Sequence, residues 1–462
     1  MKHRTDPRQA GQSQDPLSSV PRVNIAGSHV RSVSHGMLYA ASVFFLLQSM
    51  GALGIIDRSI YGQWNGKTGD KITETLNLLG ILASLFLFWS GTRTTRIARV
   101  NRVLPLAAAS LLLISFLWSA DPRVTLTQGM AYFFVVLGAI GLAESLDSDV
   151  LMDLLALLCG LSAIASLVQF LGFPEPVAVS GGDFRGIFPQ KNVLGLVMVV
   201  GVLAALHAAR SKHAGRFRYI CVIALCTIVA FMSKSGTAIM TIMVFFLLDV
   251  LGRPYLRGGS SRIISVWLTI VCVPFVIFFV MNADLIFQLL GKDATLTGRT
   301  LLWPYVIDKI SEKPVLGWGY YGFWSYLNPF TFQIADATGI GVVPNSHNTI
   351  LEMLLGIGFV GTSFFIFLWV RNFVLAVKCM HGPGGQFGLS SVLLLIGILL
   401  IGMSEVVLLS PGQIWTTLFF TMGFICEKEL WLAHAARTRG RPRPRSTLAA
   451  AATSRSAIRQ LR

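Results

Sequence analysis

Residues 346–370, SHNTILEMLLGIGFVGTSFFIFLWV, pass from a polar boundary into an apolar run that is long enough to cross a bilayer. A helix needs about 20 predominantly apolar residues to span the hydrocarbon core. Comparable runs recur along the chain, whose 462 residues are 53% hydrophobic and only 13% charged. Because no water satisfies backbone groups inside a bilayer, such runs are expected to span it as helices. The sequence therefore predicts an all-α, polytopic integral membrane protein.

About twelve such spans are predicted, by length and apolar composition. They cover residues 37–56, 76–90, 103–118, 130–143, 150–171, 193–209, 219–232, 237–251, 263–281, 349–370, 389–409 and 414–426. One large polar loop, at about residues 282–346, separates the ninth span from the tenth. We predict a membrane domain over residues 36–427, flanked by basic cytoplasmic segments at residues 1–35 and 428–462. Both flanks are predicted to be disordered, because polar, basic and proline residues leave them little apolar surface to bury.

The basic residues orient these spans. The formal net charge is +16, and Lys and Arg residues form short clusters between apolar runs, at residues 93–102, 210–218, 253–262, 371–378 and 437–462. This pattern is typical of cytoplasmic loops and favours a membrane protein over one that binds nucleic acid. The acidic segment 144–149 is an exception, since it falls on the same side without a basic residue. The loops at residues 173–190, 233–236 and 282–346 would then share the external face.

The loop before the sixth span carries two cations, Arg185 and Lys191, within the sequence DFRGIFPQKN (183–192). Arginine offers a planar fork of donors that matches phosphate oxygens, and lysine offers a point charge. The loop is therefore a candidate anion site. The alternative is that both side chains reach toward lipid headgroups and serve only as anchors.

The large loop carries further candidates near its two ends. Arg299 opens a run that is predicted to form an amphipathic helix, whose N-terminus would itself favour an anion. The alternative is an arginine that is simply exposed to water. His347 and Asn348 lie where the chain re-enters the membrane, and His347 is a candidate general base rather than plain polar surface. Glu405 is a carboxylate inside an apolar run, which is costly unless paired and marks a functional candidate.

Several short motifs occur together in a characteristic order. They are WSADP (118–122), RGIFPQKN (185–192), SKSGT (233–237), GRTLLW (298–303), PVLGWG (314–319) and the pair His347-Asn348 followed by Gly358. Over roughly residues 100–425 the chain resembles the O-antigen ligase/Wzy-type polymerase family (Wzy_C) of bacterial inner-membrane glycosyltransferases. It looks closest to the exopolysaccharide polymerase (ExoQ-like) branch of that family.

The resemblance implies that a glycan moves from undecaprenyl diphosphate to an acceptor hydroxyl at the periplasmic face, without metal, nucleotide or other cofactor. It implies that His347 is the catalytic base and that Arg185 and Arg299 bind the diphosphate. The remaining site residues that it implies are Lys191 and Lys234 for substrate binding, and Asn348, Asn192 and Glu405 in supporting roles. Ligases of the family often carry an arginine after the second serine of the Ser-x-Ser turn, where this chain has Gly236 with Lys234 nearby. That departure favours the exopolysaccharide branch.

The predicted function is polymerisation of lipid-linked oligosaccharide repeats into an exported polysaccharide. Its partners would be the undecaprenyl-diphosphate-linked donor and acceptor, membrane lipids, and flippase and chain-length or export proteins. The first alternative is an O-antigen ligase that transfers finished polymer to lipid A-core. The second is a polysaccharide transporter or flippase, which would have more charges within its spans and no large loop with basic residues and a histidine. The six cysteines support neither a disulfide framework nor a metal cluster, because they lie in spans or on the cytoplasmic side.

Overall fold

A computed structural model describes residues 31–53, 71–94, 100–172, 179–180, 183–211, 215–257, 299–339, 341–382 and 384–439. Within these ranges the chain forms thirteen α-helices: α1 (Arg31–Ser49), α2 (Lys71–Thr94), α3 (Val100–Ile114), α4 (Pro122–Ser145), α5 (Ser148–Gly172), α6 (Lys191–Ser211), α7 (Arg216–Met232), α8 (Gly236–Arg257), α9 (Arg299–Glu312), α10 (Pro329–Thr338), α11 (Thr349–Met380), α12 (Gly385–Gly402) and α13 (Ile414–Arg439). A 3-10 turn, Ser115–Trp118, extends α3. Two short antiparallel strands, β1 (Val179–Ser180) and β2 (Asp183–Phe184), precede α6.

Seven helical stretches of the described chain are long and apolar enough to cross a membrane: Thr73–Gly91, Pro122–Ser145, Ser148–Gly172, Lys191–Ser211, Gly236–Arg253, Thr349–Met380 and Gly385–Gly402. Two shorter apolar helices are Gly36–Ser49 and Arg102–Trp118. The prediction of a helical, multi-pass membrane protein is confirmed, whereas the number twelve stays a prediction. The predicted ninth span (263–281), the first part of the large loop (282–298) and most of both termini lie outside the described residues.

Helix α6 runs through the centre of the bundle and is buried along most of its length. Its neighbours approach closely because small residues face them. A Cβ atom on Gly201 would lie 2.7 Å from Cys226 Sγ on α7 and 2.8 Å from Cys159 Cβ on α5. On α4, a Cβ on Gly141 would lie 2.3 Å from the backbone of Leu87 on α2. Small residues commonly allow this approach between helices in membranes, where packing replaces the hydrophobic driving force.

Helix α11 is interrupted at Gly358, whose backbone is left-handed (φ 61°). The loop at residues 314–319 fills the interruption: Pro314 O accepts from Phe359 N at 2.8 Å, and Leu355 O accepts from Trp318 N at 2.8 Å. A Cβ on Gly358 would lie 2.3 Å from Val315 O, so only glycine fits there. We call this contact the interlock. It fixes the large loop to the helix that follows it.

Helix α12 ends at Gly402, although the apolar run predicts a span to residue 409. Residues 403–413 form a non-helical segment, which we call the extended segment. Its carbonyl groups are satisfied by side chains: Tyr132 donates to Leu408 O at 2.8 Å, and Thr416 Oγ1 donates to Val407 O at 2.7 Å. Irregular backbone is tolerated at membrane depth where the protein itself supplies such partners. The expected position of Glu405 inside a span is therefore corrected, since it lies in the extended segment.

The acidic segment 144–149, which lies on the basic side, has basic partners from other helices. Glu144 pairs with Arg102 at 2.5 Å, and Lys428 donates to the carbonyls of Ala143 and Leu146, both at 2.8 Å. Lys428 is buried, and α13 continues past it to Arg439, so the predicted tail begins inside a packed helix. The segment and the basic clusters therefore share one end of the bundle, which we call the charged end.

Candidate functional site

The N-terminal ends of α6, α8 and α11 meet the extended segment at the end of the bundle opposite the charged end, which we call the site end. Asn192 Nδ2 donates to Glu405 Oε1 at 2.7 Å, and the hydroxyls of Thr237 and Ser404 lie 2.7 Å apart. Thr349 Oγ1 donates to Glu405 O at 2.8 Å. These contacts join three segments that the sequence predicts to share one face. Helix N-termini attract anions, because their first amides are unsatisfied and their dipoles are positive there.

His347 stands immediately before α11 in a left-handed conformation (φ 52°). This backbone costs a non-glycine residue roughly 1–2 kcal/mol. Its amide donates to Asn345 Oδ1 at 2.9 Å, and its side chain is 28% exposed. The imidazole Nδ1 lies 3.7 Å from Glu405 Oε2. Within the described part of the chain the buried Nδ1 has no hydrogen-bond partner, because 3.7 Å exceeds hydrogen-bond length. The imidazole is thus oriented toward a carboxylate without being locked to it.

Asn348 is the N-cap of α11. Its Oδ1 accepts from the amides of Ile350 and Leu351 at 2.9 and 3.1 Å, and its Nδ2 donates to Met403 O at 3.3 Å. Asparagine is among the preferred N-cap residues because its side chain satisfies these first amides. The side chain therefore starts the helix and attaches it to the extended segment. Asn348 therefore fixes the backbone next to His347. No described hydrogen bond joins the Asn348 side chain to the imidazole.

Glu405 is held from several directions. Its carboxylate accepts from Asn192 and faces His347, and its side chain is only 14% exposed. Thr349 fixes the backbone on both sides, because its hydroxyl donates to Glu405 O and accepts from Val407 N at 3.2 Å. Glu405 therefore connects the start of α6 to the start of α11. The structure brings Asn192 and Glu405 together with His347, and their supporting roles stay a prediction.

Arg185 lies in the short turn between β2 and α6. Gly186, which is left-handed (φ 53°), presses this turn against α5, since a Cβ there would lie 2.4 Å from Ser166 Oγ. Ser166 Oγ also accepts from Ile187 N at 3.3 Å. Burial lowers the pKa of the Arg185 guanidinium from its usual value. Arginine nevertheless stays protonated in proteins, so the turn presents a partly desolvated cation.

Lys191 and Lys234 lie at neighbouring helix ends. Lys191 is the first residue of α6, and Lys234 is exposed in the turn before α8, with a left-handed backbone (φ 53°). The two ends touch through Gly195, where a Cβ would lie 3.0 Å from Ser235 Cβ. Arg299 is the first residue of α9, but its side chain lies outside the described part. The predicted convergence of Arg185 and Arg299 stays a prediction.

Glu352, in the first turn of α11, is a residue that the sequence analysis did not single out. It is buried, accepts from Ser346 N at 2.8 Å, and receives Trp324 Nε1 at 3.1 and 3.2 Å on its two oxygens. The sequence alone could have identified Glu352 as a candidate functional residue. An ionisable residue inside an apolar run is a functional candidate for the same reason as Glu405.

Two of the sequence motifs hold the large loop in place by contacts with each other. Trp118 Nε1 donates to Leu316 O at 2.9 Å, and Ala120 N donates to Trp318 O at 2.8 Å. Asp121 caps α4 by accepting from Arg123 N and Val124 N at 3.1 and 3.2 Å, and it also receives a hydrogen bond from Ser325. WSADP and PVLGWG are therefore architectural motifs that bind each other.

Comparison with known proteins agrees with the family resemblance. Residues 219–366, from α7 into α11, match the family model described as O-Antigen ligase. The chain is also similar to the "Exopolysaccharide production protein ExoQ" of Rhizobium meliloti (strain 1021). The two are 25% identical over 339 residues, which cover 67% of this chain and 74% of that protein. The resemblance to the O-antigen ligase family and to its ExoQ-like branch is thereby confirmed. The matched residues include Lys234, Arg299, His347 and Glu352.

Proposed function

We propose that this chain is a glycosyltransferase that polymerises undecaprenyl-diphosphate-linked oligosaccharide repeats into exopolysaccharide at the periplasmic face of the bacterial inner membrane. The similarity to an exopolysaccharide production protein and the O-antigen ligase match support this class of reaction. One structural observation carries the proposal. His347 faces Glu405 at 3.7 Å, at a junction of helix N-termini whose neighbouring loops supply Arg185, Lys191 and Lys234.

His347 is the base in this proposal. With a proton on Nδ1 directed at Glu405, Nε2 carries the lone pair and accepts the proton of the acceptor hydroxyl. The positive charge that forms on the imidazole is stabilised by the Glu405 carboxylate, which Asn192 holds in place. A third group that orients a base and offsets its developing charge is a recurrent arrangement in enzymes.

The cations bind the leaving group and stabilise its negative charge. The oxygen of the acceptor attacks the anomeric carbon, the bond from that carbon to the diphosphate oxygen breaks, and undecaprenyl diphosphate leaves with the electron pair. Arg185 and Arg299 bind the diphosphate, and Lys191 and Lys234 lie beside it at the ends of α6 and α7. One base and one displacement predict inversion at the anomeric carbon. Because the donor is already activated, charge stabilisation, orientation and a single proton acceptor suffice, and we propose that no metal takes part.

Reconstitution tests the proposal directly. The purified chain in lipid nanodiscs, supplied with a lipid-linked repeat, is expected to produce a ladder of longer lipid-linked glycans that persists in the presence of a chelator. His347→Ala in the same nanodiscs should not produce the ladder. Loss of the ladder on chelation would contradict the metal-independent reaction. Absence of a ladder with the wild-type chain and several repeat structures would contradict the polymerase proposal.

A ligase is the second candidate, because the family model that matches residues 219–366 is described as O-Antigen ligase. The two reactions share the donor and differ in the acceptor, which is another lipid-linked repeat for a polymerase and lipid A-core for a ligase. Analysis of lipid-linked glycans in a deletion strain separates them. Single repeats that accumulate without polymer identify a polymerase. Finished polymer that remains on undecaprenyl diphosphate identifies a ligase.

A further inference from the structure

The backbone of Ser346, the residue directly before His347, is held at its amide and at its carbonyl by two side chains. Glu352 Oε2 accepts from Ser346 N at 2.8 Å, and Trp303 Nε1 of α9 donates to Ser346 O at 3.1 Å. Trp324 Nε1 donates to the Glu352 carboxylate and so fixes its orientation. Ser346 is fully buried and Glu352 almost so. We call these four residues the clamp.

The clamp acts on the backbone from which the imidazole projects. His347 follows Ser346 directly and holds a left-handed backbone, a conformation that L side chains rarely adopt and that needs support from its surroundings. A further bond, from Ser346 Oγ to Asn348 O at 3.0 Å, ties the two neighbours of His347 to each other. Movement of the Ser346 backbone would therefore rotate His347 relative to Glu405. The backbone of Glu405 is fixed separately by Thr349.

We propose that Glu352 is a positioning residue for His347, and that through Trp303 and Trp324 the folded large loop sets the orientation of the base. Glu352 acts on the amide of Ser346, and no described hydrogen bond joins it to the imidazole. The kinetic part of this inference rests on the proposed function, whereas the geometric part does not.

Two variants weaken the clamp from opposite sides, one at nearly constant side-chain volume and one with loss of part of an indole ring. Glu352→Gln replaces one acceptor oxygen with an amide donor that faces the donor Trp324 Nε1, and Trp303→Phe deletes the bond to Ser346 O. The matched controls make the same chemical changes elsewhere. Glu427→Gln removes a carboxylate that pairs with Arg371 at 2.6 Å, and Trp369→Phe removes a bond to Leu395 O at 3.2 Å.

Amide hydrogen exchange in nanodiscs gives a readout that does not depend on activity. Both clamp variants should accelerate exchange in peptides that cover residues 341–351, because one weakens the bond to the Ser346 amide and the other releases the Ser346 carbonyl. We expect an acceleration of about tenfold, the protection that one hydrogen bond gives its donor. Both controls should leave these peptides unchanged. Unchanged exchange in both clamp variants would overturn the clamp, and so would an acceleration spread equally over the whole chain.

Kinetics in the same nanodiscs test the link to His347. We expect kcat to fall in both clamp variants while KM for the lipid-linked donor stays constant. A residue that acts through His347 adds nothing once His347 is gone, so Glu352→Gln/His347→Ala should be no slower than His347→Ala alone. Losses that multiply in the double variant, or a rise in KM at constant kcat, would overturn the positioning role. If the wild-type chain makes no polymer, the proposed function fails and the exchange measurement still decides the clamp.

Discussion

The two ends of the helical bundle treat charge differently. At the charged end several ion pairs are close, although Lys428 and Asp147 are 4.0 Å apart. Arg371 and Glu427 lie 2.6 Å apart, and buried Asp249 bridges Arg210 and Arg253, whose Nε donates to it at 2.8 Å. At the site end His347 Nδ1 and Glu405 Oε2 stay 3.7 Å apart. Close, desolvated pairs neutralise each other and fix the packing of helices. In the proposed reaction, the looser pair at the start of α11 supplies a proton acceptor and its counter-charge.

The largest expected difference between the ends is the side of the membrane that each faces. In a cysteine-free background, Tyr326→Cys in the large loop should react with a membrane-impermeant thiol reagent added to intact spheroplasts. Asp147→Cys at the charged end should react only after the membrane is permeabilised. Both positions are well exposed, so burial does not limit labelling. Labelling of both from the same side would remove the basis of the comparison and of the periplasmic reaction.

His347→Ala should cost the most activity of any single substitution at the site end. Loss of a general base lowers turnover by roughly 10²–10⁴-fold. The chain should still insert at normal abundance and bind the lipid-linked donor, as measured by binding in nanodiscs. His347→Gln keeps hydrogen bonding but is a poor base and should be equally slow. An active Gln variant would make His347 a residue that only positions the substrate.

Arg185→Ala and Arg299→Ala should each lower turnover by about 10²–10³-fold, because each removes a donor to the charge that develops on the leaving group. Lysine at either position should restore activity only in part, since it cannot reproduce the planar fork. The measurement is kcat in nanodiscs at matched membrane abundance. Wild-type polymer yield from both Ala variants would show that the arginines anchor the protein to headgroups.

Glu405→Gln should have a smaller effect, because Gln can still accept from Asn192 and loses only the charge that faces His347. Two unit charges about 4 Å apart interact by roughly 4 kcal/mol at an effective dielectric constant of 20, so we expect a loss of about 10- to 100-fold after screening. The check is kcat at saturating donor. Glu427→Gln loses the same charge at the charged end and should turn over normally. Equal losses in both would deny Glu405 a specific role.

Asp249→Asn at the charged end should affect stability and leave turnover per folded molecule unchanged. Asp249 is 1% exposed and lies against Arg210, so its removal leaves a buried cation without its counter-charge. Breaking a buried pair typically costs about 3–5 kcal/mol. Thermal unfolding in nanodiscs measures this loss. Glu312→Gln, which breaks an exposed pair with Lys309, should change stability by less than about 1 kcal/mol. A catalytic defect in Asp249→Asn would mean that the two ends are coupled.

Much of the helical fold was predictable, because apolar runs of sufficient length leave the backbone few alternatives in a bilayer. The interruption of α11 at Gly358 and the end of α12 at Gly402 were not predictable from the sequence. Both lie inside unbroken apolar runs, and both depend on partners that are distant in sequence. The backbone at Gly358 is completed by residues 314–319, and the extended segment by hydroxyl groups such as that of Tyr132. Local pattern carries no information about such partners.

The residues of the candidate site likewise divide into those that the sequence could select and those whose role depends on distant partners. Residue type and position at a predicted span boundary selected His347, a carboxylate inside an apolar run selected Glu405, and the family resemblance supplied Asn192. The structure brings these three residues together. The N-cap role of Asn348 is a local pattern that could have been predicted from Asn followed by an apolar helix. The role of Glu352 could not, because its partners Trp324 and Ser346 come together only when the large loop folds.

The interlock also bears on how the protein is synthesised. The amides of Phe359 and Val360 take their acceptors from Pro314 and Val315, an earlier stretch of the nascent chain. In its interrupted form, helix α11 is therefore not self-sufficient in hydrocarbon, since these two amides would lack acceptors without the earlier stretch. Residues 314–315 must therefore lie beside α11 before the interruption at Gly358 can form. The interlock therefore divides biosynthesis into two stages. A ribosome-bound chain that stalls before the interlock forms should be a substrate for membrane proteases, whereas a chain in which the interlock has formed should resist these proteases.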